Sequence, residues 1–121
     1  MIKVQQFTFV CAPQPVQWAG AVAMDVDVSQ HVDRYREKRN WVPQHLSKKF
    51  EATDADGAFY LFLKAPRATA TQFANKAIEH NLLVIPGNVF SQQDTHFRIC
   101  YAVDDQIIQR GVEILNSLVQ R

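Results

Sequence analysis

The clearest pattern in this sequence is His96-Phe97-Arg98-Ile99-Cys100-Tyr101-Ala102-Val103. Apolar side chains occupy every second position, as in a strand with one face on a core. The apolar row contains Phe97, Ile99, Tyr101 and Val103. The other row contains His96, Arg98, Cys100 and Ala102. The segment therefore predicts a strand that carries an arginine on the face away from the core.

The flanking sequence alternates between helical and extended patterns. Residues 58–63 and 82–85 are short apolar runs, which predict two further strands. Helices are predicted where residues favoured at a helix N-terminus precede apolar residues at helical spacing. These candidate caps are Ser29, Thr69 or Thr71, and Asp104. From residue 29 onward the order is helix, strand, helix, strand, strand, helix. This order predicts an α/β or α+β domain, with one small sheet and helices packed against it.

Residues 1–28 have a different character. Residues 4–10 are rich in β-formers and precede Pro13, so we expect a short strand or an extended segment there. Pro15 suits the first turn of a helix over residues 16–24, which is apolar on nearly every face. Such a helix is normally buried on all sides, and this chain has little material to surround it. We therefore expect a partner subunit or more of the same polypeptide to cover it, and self-association when it is uncovered.

Composition bounds the class of protein. The chain has 121 residues, of which 47% are hydrophobic and 21% charged, so one folded domain is expected. Its net charge of +1 gives no support to a nucleic-acid or acidic-membrane partner. No apolar run reaches the ~18 residues of a membrane span, and no signal peptide is recognisable. The two cysteines, Cys11 and Cys100, favour a reduced, cytoplasmic protein.

Several kinds of reactive site find no support in the residue pattern. The histidines stand at positions 31, 45, 80 and 96, without the short spacing of a metal clip. His96 and Cys100 share a strand face but lie about 13 Å apart, too far for a thiolate–imidazole pair. No glycine-rich phosphate loop is present. Residues 31–50 carry six Lys/Arg and two acids, which fits either an anionic partner or a solvated helix face.

Arg98 allows two interpretations from the pattern alone. It can lie on a solvated or salt-bridged sheet face. It can also bind an anion, because a guanidinium held by a strand can grip a carboxylate through two parallel hydrogen bonds.

Three blocks resemble the carboxy-terminal part of class I/II aminotransferases that depend on pyridoxal phosphate. They are Gly57-Ala58-Phe59-Tyr60-Leu61-Phe62, Leu83-Val84-Ile85-Pro86-Gly87-Asn88-Val89-Phe90 and Phe97-Arg98-Ile99-Cys100-Tyr101-Ala102. The blocks occur in the family's order and at similar spacing, and a terminal helix follows them. The stretch Pro13-Gln14-Pro15-Val16-Gln17-Trp18-Ala19 also looks like the junction between the family's large domain and its connecting helix.

The resemblance implies specific roles. Arg98 matches the arginine that binds the substrate's α-carboxylate and orients the amino or 2-oxo acid over the cofactor. Phe90 matches an aromatic residue near the mouth of the active site, although a core position is an equal alternative. Residues 1–28 would be a remnant of the large domain and the connecting segment, and residues 29–121 the small domain.

The resemblance also implies what the chain lacks. The family's cofactor lysine and the aspartate that holds the pyridine nitrogen precede this region. We therefore expect no catalytic, covalent cofactor or metal site in this chain, and no catalysis by it alone. The complete enzyme, of which this chain would be the carboxy-terminal part, would be a homodimer. The alternatives are a non-catalytic carboxylate-binding or assembly module of the same fold, and a related pyridoxal-phosphate enzyme that is not a transaminase.

Overall fold

The computed structural model describes residues 1–53, 55–66 and 69–120. Arg121, the last residue of the predicted small domain, lies outside the described residues. By its internal contacts the chain divides into two compact units, Met1–Gln30 and His31–Arg121. Within the described residues, no helix combines the length and the apolar character that a membrane crossing needs.

The first unit consists of helix α1 (Ile2–Thr8) and helix α2 (Gln14–Ala23). The strand or extended segment predicted over residues 4–10 is therefore wrong. The Gln5 carbonyl accepts hydrogen bonds from the amides of Phe9 and Val10, and the Thr8 hydroxyl donates to the Val4 carbonyl. These local bonds satisfy the backbone in a segment that pairs with no described strand, and so override its β-propensity. Helix α2 confirms the predicted helix and begins two residues earlier.

Helix α3 (Ser29–His45) begins at the predicted Ser29. The Asp27 carboxylate accepts hydrogen bonds from the Ser29 amide and hydroxyl, and these bonds lower the pKa of Asp27. The carboxylate therefore satisfies a donor at the helix start that would otherwise lack a partner. At the other end of the helix, Val42 is buried.

The sheet has three antiparallel strands in the order β1-β3-β2. They are β1 (Tyr60–Lys64), β2 (Ile85–Pro86) and β3 (His96–Cys100). The central strand β3 confirms the predicted alternation as far as Cys100, where the strand ends, and Val103 of the predicted apolar row is exposed. Strand β2 shares only Ile85 with the strand predicted over residues 82–85. The register places Arg98 between Phe62 of β1 and Ile85 of β2.

One face of the sheet carries the core. Leu61, Leu63 and Phe97 are almost completely buried, whereas their strand neighbours Phe62 and Arg98 are only partly buried. Helix α4 (Ala70–Glu79) contacts β2 and β3, and helix α5 (Asp105–Gln120) completes the fold. Both helices contribute to the same core cluster. Their buried residues are Ala70, Phe73, Ala74, Ala77, Ile108, Val112, Leu115, Leu118 and Val119. The predicted α+β fold is thus confirmed.

Candidate functional site

Arg98 lies in the middle of the central strand, on the sheet face opposite the core. Its strand neighbours Phe97 and Ile99 turn to the core side, where Phe97 is fully buried. The cross-strand partners of Arg98, Phe62 and Ile85, share its face because directly opposed residues of antiparallel strands point the same way. The sheet therefore fixes the backbone of Arg98 on both sides.

Two aromatic rings hold the guanidinium group of Arg98, and we call them the aromatic clamp. The Cζ atom of Arg98 lies 4.1 Å from the centre of the Tyr60 ring and 4.5 Å from the centre of the Phe90 ring. Both distances are within the range of cation–π attraction. Tyr60 belongs to β1, and Phe90 follows β2 after a short turn, so the rings come from the two strands that flank β3.

Further rings support the clamp. The Phe62 ring stacks on His96 at 5.3 Å with an interplanar angle of 4°, and its edge meets Phe90 at 6.5 Å. The ring of Phe59 lies 4.5 Å from that of Tyr60. The site is therefore a cation set in an aromatic surface, where fewer water molecules reach the charge than on an open polar face.

The position of Phe90 depends on a close backbone approach at Gly87. A 3₁₀ turn, Gly87–Val89, leads into Phe90, whose amide donates to the Gly87 carbonyl at 2.9 Å. A Cβ atom at Gly87 would lie 2.6 Å from the His96 carbonyl oxygen and 3.1 Å from the Phe62 ring. Only glycine fits there without a shift, so this residue sets the path that brings Phe90 to Arg98.

The position of Tyr60 depends on Tyr101. The buried Tyr101 hydroxyl donates to the Ala58 carbonyl at 2.7 Å, and the Tyr101 amide donates to the Phe59 carbonyl at 3.0 Å. Ala58 has a φ of 60°, in the left-handed region that non-glycine residues rarely adopt. These two bonds tie the segment before β1 to the end of β3. Burial raises the pKa of Tyr101, with a smaller opposing effect from the charge of Arg39.

The charge of Arg98 has no partner within the described part of the chain. The ion pairs found there join Arg36 to Asp33, Lys38 to Asp105, and Lys64 to Glu51. Arg98 takes part in none of them. Of the predicted alternatives, a salt-bridged Arg98 is therefore not found among the described residues, which leaves a solvated arginine or one that binds an anion. The geometry leaves a fixed, half-buried guanidinium that can accept an anion from outside the chain.

Phe90 was predicted either at the mouth of an active site or in the core. Its side chain is 50% exposed and it does not belong to the core cluster. It lies instead against Arg98, the other predicted site residue. The sequence pattern alone does not indicate Tyr60 as a site residue. Side chains alternate between the two faces of a sheet, so the register of β1 on β3 places Tyr60, Phe62 and Arg98 on the same face.

The basic side of α3 is partly neutralised by acids of this chain. Arg36 pairs with Asp33 one turn away, and the Lys38 Nζ lies 3.2 Å from the Asp105 carboxylate and donates to the Val103 carbonyl. A cleft of about 620 Å³ lies here between α3 and the start of α5. Its lining mixes both charges and includes Arg34, Glu37, Lys38, Asp104 and Asp105. This arrangement favours the solvated helix face over an anionic partner.

The lysines of this chain do not fit the covalent attachment of a carbonyl cofactor. An attachment lysine is enclosed by apolar or cationic surroundings that lower its pKa. Here no charged residue among those described is buried. Lys38, Lys49 and Lys64 bind acceptors elsewhere in the fold, and the remaining lysines are exposed on the surface. Within the same described residues, no three potential metal ligands cluster.

The chain resembles known aminotransferases over nearly its whole length. A family model, "Aminotransferase class I and II", matches residues 1–115. A probable aspartate aminotransferase from Methanocaldococcus jannaschii is 26% identical over 125 residues, which cover 99% of this chain and 33% of that protein. An aspartate aminotransferase from Thermotoga maritima is 32% identical over 118 residues, covering 96% of this chain and 30% of that protein.

Solved structures of aminotransferases share the fold of this chain. The crystal structure of an aspartate aminotransferase from Thermotoga maritima superimposes with a TM-score of 0.86 at 26% identity, covering 98% of this chain and 32% of that one. This chain spans about a third of the length of the relatives it matches. Since the family model covers 1–115 of its 121 residues, the chain belongs to the class I and II aminotransferase family.

Proposed function

We propose that this chain is the carboxy-terminal portion of a pyridoxal-phosphate-dependent aminotransferase, which moves an amino group between an amino acid and a 2-oxo acid. Its contribution is Arg98, which binds the α-carboxylate of both substrates. The observation that carries this proposal is the clamped guanidinium in the middle of the sheet, which forms no ion pair with the residues that the structure describes. Membership of the aminotransferase family supports it.

A carboxylate is the anion that suits this site best. Its two coplanar oxygens match two N–H groups of a guanidinium, so both hydrogen bonds form at once. One flat contact then fixes the direction of the carboxylate as well as its distance. Because β3 is the central strand, the arginine backbone moves little when the ligand binds, and the Cα atom next to the carboxylate is held for reaction.

The cofactor would be held by residues outside this chain, since the lysines present do not fit its attachment. Pyridoxal phosphate supplies an electron sink for reactions at the substrate's Cα when it is bound. We therefore propose that this chain is inactive alone. We assign residues 1–28 to the end of the large domain and the connecting segment, and residues 29–121 to the small domain.

The proposal extends to the ligands, the assembly and the cellular compartment of the complete enzyme. Its ligands would be an amino acid and a 2-oxo acid, both small molecules, and its assembly would be a homodimer. The exposed apolar side chains of α1 and α2, such as Phe7 and Trp18, support contact with further polypeptide. Both cysteines are exposed and unpaired, which favours a reducing, cytoplasmic compartment.

The test replaces Arg98 with alanine in the complete enzyme. Loss of a paired arginine costs about 2–5 kcal/mol, so kcat/KM for the best amino acid substrate should fall at least about 30-fold. Arg98→Lys keeps the charge but not the flat pair of donors and should restore only part of the activity. The matched control is the amine that lacks the α-carboxylate, whose slow reaction should change less than about twofold.

The same assay separates the alternatives. A change in kcat/KM below about threefold for the amino acid contradicts the role of Arg98. Carbon–carbon bond chemistry in place of amino-group exchange identifies a related enzyme that is not a transaminase. Tight carboxylate binding without turnover identifies a non-catalytic module of the same fold.

A further inference from the structure

We infer that Tyr60 and Phe90 are positioning residues, which hold the Arg98 guanidinium so that its N–H edge meets the two oxygens of a carboxylate ligand. This inference rests on the proposed role of Arg98 as the carboxylate-binding group. It assigns to two aromatic side chains the orientation that a carboxylate or amide partner commonly gives an arginine.

The first argument is the placement of the rings. Tyr60 stands on β1 and Phe90 follows β2, while Arg98 stands on β3 between these strands. The Cζ atom lies over both ring centres, at 4.1 and 4.5 Å. Two rings this close to the Cζ atom cover part of the guanidinium surface, and we infer that its N–H edge stays open to a ligand. A ligand therefore approaches along the edge, where the N–H groups point.

The second argument is the lack of any other restraint on the guanidinium. Within the described residues, the Arg98 side chain has no ion pair, and none of the side-chain hydrogen bonds found there involves it. An arginine without such partners samples several rotamers and loses that freedom on binding a ligand. The two rings reduce this loss before the ligand arrives, which raises affinity through preorganisation.

The third argument concerns specificity. An edge-on guanidinium offers two parallel N–H donors, and both oxygens of a carboxylate accept from them at once. A lysine ammonium at position 98 has no plane for the rings to orient. The clamp therefore presents a pair of donors that the α-carboxylate shared by amino acids and 2-oxo acids can accept.

The test uses the complete enzyme and the standard amino acid that it converts fastest, identified by screening all twenty. Tyr60→Leu and Phe90→Leu remove one ring each, while Tyr60→Phe and Phe90→Tyr keep the ring. Each leucine variant should raise KM about 3- to 10-fold with a smaller change in kcat, as expected for one lost cation–π contact. The ring-keeping variants should stay within about twofold of the parent.

A control variant and an NMR measurement show whether a change in KM comes from the loss of the clamp. Ile78→Ala removes an exposed apolar side chain on α4 that takes no part in the clamp, and it should leave KM unchanged within about twofold. In the NMR spectrum of the unsubstituted chain, the Arg98 side-chain protons should be shifted upfield by the ring currents of the clamp. This shift should shrink in Phe90→Leu, whose half-exposed position tolerates the change.

The outcomes distinguish this inference from the proposed function. If Arg98→Ala lowers kcat/KM strongly while both leucine variants keep the parent KM, the clamp is overturned and the carboxylate role stands. Equal losses in the leucine and ring-keeping variants, or no upfield shift, also overturn the clamp. If Arg98→Ala has no effect, or no amino acid is converted, the proposed function fails and the clamp's role in substrate binding fails with it.

Discussion

The Arg98 guanidinium carbon lies 4.1 Å from the centre of the Tyr60 ring, across the β1–β3 pair of the sheet. The contact joins a charge on the central strand to an aromatic side chain on its neighbour. It shows how a sheet face without a buried ion pair still fixes an arginine, since the ring supplies attraction and a flat surface together. The proposed carboxylate site depends on this contact and on its counterpart at Phe90.

Gly87→Ala should destabilise the fold and displace Phe90. The new Cβ would lie 2.6 Å from the His96 carbonyl oxygen, so the backbone must move. Overpacking of this kind costs about 1–3 kcal/mol. Urea unfolding of the chain measures the change in the free energy of unfolding.

Gly111→Ala is the matched control for this experiment. Its new Cβ would make an ordinary contact with Leu82 at 3.6 Å inside helix α5. Alanine is favoured over glycine in a helix interior by up to about 1 kcal/mol, so this variant should be as stable as the parent or more stable. Equal losses for the two variants would contradict the steric argument at Gly87.

Tyr101→Phe should lower stability at neutral pH through loss of one hydrogen bond. The Tyr101 hydroxyl donates to the Ala58 carbonyl at 2.7 Å, and Ala58 adopts a left-handed conformation that this bond helps to hold. A typical bond of this kind contributes about 0.5–1.5 kcal/mol. Chemical denaturation at pH 7 gives the difference, and a variant as stable as the parent would show that the bond adds nothing.

The same tyrosine should make the fold sensitive to alkali. Burial raises the pKa of Tyr101 in the folded state above its ordinary value near 10. As pH rises past that value, the unfolded chain loses the proton first, so the stabilising contribution is full below pH ~10 and falls above it. Tyr101→Phe removes this dependence. The stability gap between parent and variant should therefore narrow as the pH rises above about 10, and a constant gap contradicts the argument.

The chain alone should self-associate through its first unit. None of residues 1–30 is buried within the chain, and Trp18 on α2 is 71% exposed. Exposed apolar surface of this kind drives association in water. Light scattering should show oligomers whose fraction falls when Phe7 and Trp18 are both replaced by serine. A strictly monomeric parent chain at high concentration would contradict this prediction.

The sequence predicted those parts of the fold that depend on local periodicity. The alternation around Arg98 predicted β3 and the outward face of the arginine, and the apolar stripe after Asp104 predicted α5. Residues 4–10 were misassigned because their β-propensity carries no information on whether a partner strand exists. The lack of a partner strand among the described residues, rather than the composition of residues 4–10, therefore determined the conformation of this segment.

The clamp could not be predicted from the sequence because it depends on long-range geometry. Tyr60 reaches Arg98 only through the register of β1 on β3, and period-two patterns do not fix a register between distant strands. Phe90 reaches it through the close approach of Gly87 to the His96 carbonyl, which a Pro-Gly pair alone does not reveal. The resemblance to aminotransferases indicated Arg98 and Phe90 separately, and the structure places them in contact.

The most direct test of the carboxylate role is a crystal structure of the complete enzyme with a bound amino acid or 2-oxo acid. The account predicts that both α-carboxylate oxygens accept hydrogen bonds from Arg98 at about 2.7–2.9 Å, in the plane of the guanidinium and between the rings of Tyr60 and Phe90. A substrate whose α-carboxylate binds elsewhere, with Arg98 left in solvent, would contradict it.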